Sequence, residues 1–504
     1  MRTILLMIFF SFLYPTSSIG VTKGSYHDMG VRGYELVLDM RYDDADKIFD
    51  EMIRMEPDNP EGYLCKSQSF FHYWQYTFTT PDQESFKSFK NLLFKTKSIA
   101  EKAADSEDID TLFILGSAYG NIGLYYANTN KWLRAFWYGR KGIGYIREVI
   151  DKDPEYYNAY FLLGMYNYYA ATLPRVIKSL SFLLGGSEGD REKGIEQLIL
   201  SSSGGDLKGD AKIFLADSVY FHEKRYEDAL PLLEELVKAY PNNHYLALEL
   251  GATYRKLGRH DLSVRTLTFS LQSESIKKFP VLHGYIYYTL GGVYFGMNRF
   301  DQAIQAYKKA CDISENINGY LPDQYDAWSL YETGNAFEMK GSIDNACDCY
   351  SRIKENNKRV FEYARARLEN PLTPPQKNLI LGVNFLRYKK YPEAEEILRA
   401  LAASELDKDS ADNTFKAEAC VSLGELEYHL KKYHDAIETL KKVFSFFDVR
   451  KDWIKPWAHY WLACCYSEMG DAENAVREYD KAYEYNDYRL RLKIDQARTE
   501  LKQD

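Results

Sequence analysis

Proline and glycine are scarce in this sequence, with 15 prolines and 31 glycines among 504 residues. This scarcity excludes collagen-like chains and low-complexity segments rich in these residues. Basic residues are outnumbered, because 64 Lys and Arg face 73 Asp and Glu and give a formal charge of −9. Since an acidic chain lacks the basic face that phosphates require, nucleic acid is not an expected partner.

The sequence has seven cysteines, an odd number, and a chain of this length does not need disulfide bonds to be stable. Cys347 and Cys349 are separated by one residue, and Cys464 and Cys465 are adjacent. Neither spacing is that of a zinc motif. The nine histidines form no H-E-x-x-H pattern and no pair four residues apart. We therefore expect buried thiols, no metal site and no cofactor.

A glycine-rich segment at residues 185–194 has the glycine spacing of a phosphate-binding loop, because four residues separate Gly189 from Gly194. Such a loop requires Lys and then Ser or Thr directly after the second glycine. Ile195 and Glu196 follow here instead. The sequence therefore predicts an inter-helix loop and no nucleotide site, and we expect a chain that is not an enzyme.

The first twenty residues resemble a targeting segment. Arg2 precedes an apolar run at residues 4–14, and Pro15 ends it. Ser18 and Gly20 then fit the −3 and −1 positions of a small-residue cleavage site. As a helix, the apolar run at residues 4–14 would be about 16 Å long, which is too short to span a bilayer core of about 30 Å.

These features predict that residues 1–20 are a secretory signal peptide and that the chain is exported, to the periplasm in a bacterium. The alternative is an uncleaved segment that tethers the chain to a membrane. No later stretch of the sequence is apolar enough to cross a membrane, so the mature chain is expected to have no transmembrane span.

Eight segments of the sequence share one spacing. Each has a small residue, usually an aromatic three positions later, a second small residue twelve positions later and a large side chain four positions after that. The eight segments begin at Gly33, Asp217, Gly251, Gly291, Gly334, Gly382, Gly424 and Ala463. This is the signature of the tetratricopeptide repeat (TPR), in which two antiparallel helices form each unit. The sequence therefore predicts an all-α fold, a TPR-type α-solenoid of about ten or eleven antiparallel helical hairpins.

Two further units, which begin at Gly116 and Gly164, are diverged, so the irregular repeats lie in the centre of the chain. The prolines at residues 371, 374 and 375 favour a hinge, because proline forces the preceding residue away from helical geometry. We predict two arms, an N-terminal solenoid arm at residues 21–370 and a C-terminal arm at residues 371–504.

The central stretch resembles a particular repeat family. Residues 135–142 (AFWYGRKG), 164–169 (GMYNYY), 173–178 (LPRVIK) and 186–194 (GSEGDREKG) occur in an order similar to that of the eukaryotic tetratricopeptide repeat protein 39 and inclusion-body clearance family. The resemblance covers about residues 130–230. It implies a non-catalytic helical-repeat scaffold, with lipid-related roles in some members. Members of that family face the cytosol, whereas this sequence carries an export segment.

The first helix of each TPR unit lines the concave wall of the solenoid, and several of its groove positions are aromatic in this sequence. The predicted partner-binding residues are Phe161, Phe214, Tyr245, Tyr285, Tyr288, Trp328, Tyr331, Trp457 and Tyr460. Aromatics at helical spacing also form cores, so packing is the alternative role for the same residues. The Lys and Asn that clamp acidic chaperone tails are missing apart from Asn335, which disfavours such a tail as the ligand.

We predict from these features a non-enzymatic, exported scaffold that binds a protein or peptide in its concave groove. The alternative is a binding module for a small apolar ligand, a lipid or a glycan, because tyrosine and tryptophan offer a large contact area with a polar tip. An enzyme is the third and weakest hypothesis, since no catalytic motif supports it.

Overall fold

The computed structural model describes residues 23–78, 82–103, 108–172, 189–317, 325–404, 414–446, 449, 451–485 and 488–500. The described residues are helical and contain no strand, which confirms the predicted all-α fold. The predicted signal peptide at residues 1–20 and the segment at 173–178 lie outside the described residues.

The α-helices of the described residues have the following bounds: α1 Lys23–Leu38, α2 Tyr42–Met55, α3 Pro60–Thr77, α4 Gln83–Ala103, α5 Ile109–Asn128, α6 Trp132–Lys152, α7 Tyr157–Thr172, α8 Arg191–Ser203, α9 Lys208–Phe214, α10 Tyr226–Ala239, α11 His244–Lys256, α12 His260–Gln272, α13 Pro280–Gly296, α14 Phe300–Glu315, α15 Tyr325–Met339, α16 Ile343–Ser351, α17 Lys358–Glu369, α18 Pro374–Arg387, α19 Tyr391–Ala403, α20 Thr414–His429, α21 Tyr433–Lys442, α22 Ile454–Glu468, α23 Ala472–Glu484 and α24 Tyr488–Glu500. Helix α9 continues into a π-helical turn at Leu215–Phe221.

These helices form eleven hairpins in the described part of the chain, eight from α1/α2 to α15/α16 and three from α18/α19 to α22/α23. Helix α17 lies between the two series without a hairpin partner, and α24 follows the last hairpin. The predicted solenoid of about ten or eleven hairpins is confirmed, and α17 is an addition that the repeat spacing did not predict.

Six hairpins are closed in the same way, by a glycine on the first helix that faces a large side chain sixteen residues later on the second. A Cβ on any of these glycines would lie 2.4–2.9 Å from that side chain, so the helices approach closely only because the glycine has none. The six pairs are Gly33 with Phe49, Gly251 with Leu267, Gly291 with Tyr307, Gly334 with Tyr350, Gly382 with Leu398 and Gly424 with Leu440.

The diverged central hairpins pack more tightly, with backbone against backbone. A Cβ on Gly142 of α6 would lie 2.7 Å from the carbonyl oxygen of Gly116 and 2.9 Å from the amide nitrogen of Gly120, both on α5. In the next hairpin, a Cβ on Gly194 of α8 would lie 2.6 Å from the amide nitrogen of Tyr168 and 2.8 Å from the carbonyl oxygen of Gly164. These contacts explain why the central repeats depart from the regular pattern.

We expect Gly142→Ala to lower the free energy of unfolding by about 1–3 kcal/mol, because the backbone of α5 must shift to admit the methyl group. Urea denaturation measures the change. Gly144→Ala on the same helix is the matched control, since no atom of another helix lies within 4 Å of its added Cβ. That variant should gain about 0.5–1 kcal/mol from the lower entropy of alanine in the unfolded chain. Equal effects of the two substitutions would contradict the close-packing explanation.

The chain divides into two compact units. The first consists of Met1–Thr253, Arg265–Ile286 and Ile313–Asp323. In this unit the first hairpin contacts helices far along the sequence. The Asp39 carboxylate accepts hydrogen bonds from the backbone N–H of Asn242 at 2.8 Å and from its side-chain amide at 2.7 Å, across 203 positions. The Asn243 amide donates to the Leu38 carbonyl at 2.6 Å. Hydrogen bonds between the first hairpin and later residues therefore hold this unit together.

The second unit consists of Tyr254–Val264, Tyr287–Asp312 and Gln324–Asp504. The predicted boundary at residues 370/371 falls inside this unit, where α17 ends at Glu369 and α18 begins at Pro374. The buried Glu338 carboxylate accepts a hydrogen bond from the Leu372 backbone N–H at 3.0 Å. The proline segment does interrupt the helix, but this bond fastens it to α15.

Candidate partner-binding surface

Three of the nine predicted groove residues are buried in the first unit. Phe161 is 1% exposed and Phe214 is 3% exposed, and their rings pack edge to face with centroids 6.3 Å apart. Tyr245 is 8% exposed, stacks on Tyr76 at 5.0 Å and donates its hydroxyl to Asp217 at 2.8 Å. In this structure these side chains pack the core, which is the alternative role weighed from the sequence.

The fourth predicted residue of this unit, Tyr285, is half-buried beneath the end of α3. Its ring stacks on Phe78 at 5.2 Å, and Phe78 also contacts the Tyr245 ring at 5.8 Å. The chain's own N-terminal hairpins therefore cover these two predicted groove positions.

The second unit brings aromatic rings together on two successive helices. Trp328 and Tyr331 of α15 pack at 5.8 Å. Tyr363 of α17 contacts Trp328 at 5.9 Å and Tyr331 at 6.2 Å. The Arg359 guanidinium lies 5.8 Å from the centres of the Trp328 and Tyr363 rings. We call Trp328, Tyr331, Arg359 and Tyr363 the aromatic surface.

The aromatic surface is accessible and also firmly supported. Tyr363 is 43% exposed, and Trp328 and Tyr331 are half-buried. Both α15 rings pack against a buried cluster that includes Tyr350 and Val360. Rings that pack against one another on two helices lose little conformational entropy when a partner binds.

A polar group borders the aromatic surface on α15. The Asn335 amide donates to the Glu332 carboxylate at 3.2 Å, and the Tyr350 hydroxyl donates to the Asn335 carbonyl oxygen at 2.8 Å. Burial raises the pKa of Glu332, although Asn335 and the charge of Arg255 oppose this. Burial and the nearby Glu332 carboxylate raise the pKa of Tyr288 to about 12, which keeps its hydroxyl protonated. Glu332 offers a hydrogen-bond acceptor, and Tyr288 offers a hydroxyl, beside the rings.

The remaining two predicted residues belong to another cluster of the second unit. Trp457 and Tyr460 of α22 pack at 5.5 Å, and Tyr460 contacts Tyr479 at 6.1 Å. Both are half-buried against the core of the last hairpins. They share a helix face with each other, and they lie outside the aromatic surface.

The sequence analysis missed Arg359 and Tyr363. Both lie on α17, which has no glycine-marked hairpin, so the repeat spacing assigned them no groove position. The signal that remains in the sequence is their four-residue spacing, which places them on one helix face.

The described residues offer no group of three or more His, Cys, Asp and Glu side chains placed to hold a metal ion. The seven cysteines form no disulfide bond among the described residues, and burial raises the pKa of Cys465 to about 12, so this thiol stays protonated. Contrary to the expectation that the sequence has no catalytic motif, residues 185–189 read G-G-S-E-G and match the G-x-S-x-G pattern of a hydrolase elbow. That elbow needs a strand directly before it, and residues 173–188, where such a strand would lie, are outside the described residues. No helix among those residues is both long and apolar enough to cross a bilayer.

Comparison with known proteins identifies TPR sequence. Tetratricopeptide-repeat family profiles match residues 215–267, 284–317 and 458–488, so the chain carries tetratricopeptide repeats. The TPR repeat-containing protein MJ1428 of Methanocaldococcus jannaschii is 24% identical over 275 residues, which are 53% of this chain and 42% of that protein. The uncharacterized protein C11E3.14 of Schizosaccharomyces pombe is 24% identical over 315 residues, 54% of this chain and 52% of that protein. The chain thus spans about half the length of the curated relatives it matches.

Two solved structures are similar over most of the chain. A Rap protein complexed with competence and sporulation factor has 12% identity and a TM-score of 0.33, and covers 94% of this chain and 99% of its own. The APC/C hetero-tetramer Cut9–Hcn1 has 14% identity and a TM-score of 0.28, and covers 94% and 96%.

Proposed function

We propose that this chain is a non-enzymatic scaffold that binds a polypeptide partner through the aromatic surface of its second unit. The observation that carries the proposal is that the rings of Trp328, Tyr331 and Tyr363 contact one another across two helices, with the Arg359 guanidinium beside them. Trp, Tyr and Arg are the residues that most often dominate the binding energy of protein interfaces.

The polar border supports a polypeptide as the occupant. A peptide chain presents backbone N–H and C=O groups along its length. Glu332 and the Tyr288 hydroxyl lie near one another and can pair with such groups while the rings contact side chains. A small apolar ligand would add no hydrogen bond to the Glu332 carboxylate, although covering this carboxylate removes it from water and costs free energy.

Photo-crosslinking from the aromatic surface is expected to identify the partner. Tyr363→p-benzoylphenylalanine should capture a protein in the cells that produce the chain, because this side chain is 43% exposed. Adding Arg359→Ala and Trp328→Ala should reduce the captured amount about tenfold or more, as expected when hot-spot residues are removed. Immunoblots of the cross-linked band measure the loss.

The same photo-reactive residue at Val476 of α23 is the matched control, since Val476 is 45% exposed outside the aromatic surface. Equal capture from both positions, or capture that survives both alanine substitutions, would contradict the proposal. Native mass spectrometry adds a separate check. A bound mass of only a few hundred daltons would instead indicate the small-ligand alternative.

Export by residues 1–20 and a relation to the tetratricopeptide repeat protein 39 family remain proposals that rest on the sequence. The export proposal predicts that the intact mass of protein from its own cells lacks residues 1–20. A full-length mass would indicate the membrane-tethered alternative.

A further inference from the structure

The outer face of α6 carries large apolar side chains that the first unit leaves uncovered. Leu133 is 74% exposed, Trp137 is 55% exposed and Trp132 is 44% exposed. The helical repeat places these three residues on one side of the first two turns of α6. Single exposed hydrophobic residues are common, but a contiguous group marks an interaction site. We call these residues the α6 cluster.

Cations surround the α6 cluster, although the whole chain has a net charge of −9. Five basic residues and no acidic residue occur from Lys131 to Arg147. Lys131 and Arg134 flank the exposed indoles and are themselves exposed. The nearest acidic residue along α6 is Glu148, which pairs with Lys152 at 3.9 Å.

Helix α4 extends the basic face. Its Phe94 ring contacts the Tyr138 ring of α6 at 6.3 Å, so the two helices are neighbours. The exposed lysines of α4 are Lys87, Lys95 and Lys102. Of the two acidic residues on α4, Glu84 lies in the first turn, and Glu101 pairs with Lys97 at 2.6 Å and accepts from the Tyr119 hydroxyl at 2.6 Å. The face of α4 and α6 therefore has a net positive charge.

We propose that the α6 cluster and its cations bind the surface of an anionic lipid bilayer. Trp and Leu beside Lys and Arg are the composition of helices that lie in the bilayer interface. A leucine that is three-quarters exposed protrudes into solvent, which suits insertion between headgroups. An aliphatic side chain of this kind adds nothing to phosphate binding by a nucleic-acid site. The charge complementarity selects anionic lipid over neutral lipid.

Binding of the full chain to vesicles of phosphatidylcholine with 30% phosphatidylserine tests the proposal. Arg134→Glu changes the charge by two, and at about fivefold for each unit it should weaken partitioning about 30-fold at low ionic strength. The loss should shrink in 0.5 M salt because of screening. Leu133→Ser should weaken binding about tenfold. Phe269→Ser on α12 is the matched control, because Phe269 is 70% exposed, and it should bind as the unmodified chain does.

Quenching of tryptophan fluorescence by brominated lipid locates the contact. Residues 1–22 contain no tryptophan, so the apolar run at residues 4–14 cannot produce the signal. Quenching should occur in the unmodified chain and be largely lost in Trp132→Phe with Trp137→Phe. Unchanged quenching in that double variant, equal binding to vesicles without phosphatidylserine, or variants that match Phe269→Ser would each overturn the proposal. Because the variants lie in the first unit, these outcomes do not test the proposed partner binding by the aromatic surface of the second unit.

Discussion

Glu338→Ala is expected to lower the free energy of unfolding of the second unit by about 2–4 kcal/mol, since it removes the buried carboxylate from an ion pair with the half-buried Arg367. Glu338 is 1% exposed. Its carboxylate pairs with Arg367 and accepts hydrogen bonds from the Tyr350 hydroxyl at 2.9 Å and the Leu372 N–H at 3.0 Å. The variant would leave the half-buried Arg367 guanidinium and the Leu372 N–H without their acceptor, whereas the Tyr350 hydroxyl keeps Asn335. Urea unfolding followed by circular dichroism measures the loss.

Two further variants test whether the loss of unfolding free energy comes from the unpaired charge of Arg367 or from the lost hydrogen bond to the segment at residues 370–373. Glu338→Gln keeps an acceptor of similar size and should lose less than Glu338→Ala. Glu338→Leu combined with Arg367→Leu removes both charges and should recover part of the loss, because no unpaired, half-buried cation remains. If Glu338→Ala costs no more than about 1 kcal/mol, the segment at residues 370–373 is not held by this carboxylate.

Asp210→Asn and His72→Gln are expected to give the first unit opposite dependences of stability on pH. The Tyr34 hydroxyl lies 2.8 Å from His72 Nε2 and donates to Asp210 Oδ1 at 2.8 Å. All three side chains are buried. Burial raises the pKa of Asp210 to about 7 and lowers the pKa of His72 to about 3. The folded pair is therefore neutral between these values, despite its 3.7 Å separation.

The two groups oppose each other in the unmodified chain. The folded state holds a proton on Asp210 that the unfolded state loses above its ordinary pKa near 3.8, so this contribution to stability is lost as pH rises toward 7. The folded state excludes the proton that unfolded His72 takes up below 6.5, so this contribution is lost as pH falls toward 3. Between about pH 4 and 6 both states bind one proton, and the pair adds little pH dependence.

In each single variant, the pH dependence of the remaining group is no longer cancelled by the other. Asp210→Asn leaves His72, and the stability of the unit should rise by up to about 1.4 kcal/mol per pH unit from about pH 4 to 6. His72→Gln leaves Asp210, and stability should fall by a similar amount over the same range. Differential scanning calorimetry at several pH values measures both midpoints relative to the unmodified chain. Parallel slopes in the two variants would show that the buried pair is not neutral.

The repeat architecture could be predicted from the sequence because its determinants are local. A glycine and the large side chain sixteen residues later belong to one hairpin, so their spacing records a contact such as that of Gly334 with Tyr350. The repeat pattern also indicated that the central repeats diverge, but not that Gly142 packs on the backbone of α5.

The binding surface was less predictable, since exposure depends on residues distant in sequence. Tyr245 and Tyr285 have groove spacing, yet Tyr76 and Phe78 cover them from more than 160 positions away. Trp328 and Tyr331 have the same spacing and remain accessible. Their partners Arg359 and Tyr363 lie on the unpaired α17, which follows no repeat rule.

The hydrogen bonds between Asp39 and Asn242 can form only long after Asp39 has been synthesised. The two residues are 203 positions apart, so the ribosome requires roughly 10–40 s to make the second after the first. During that interval α1 and α2 can form a hairpin, but Tyr34 and Leu38 have no later helices to cover them. The nascent chain thus presents apolar surface for tens of seconds, which is a window for chaperone binding before the first unit closes.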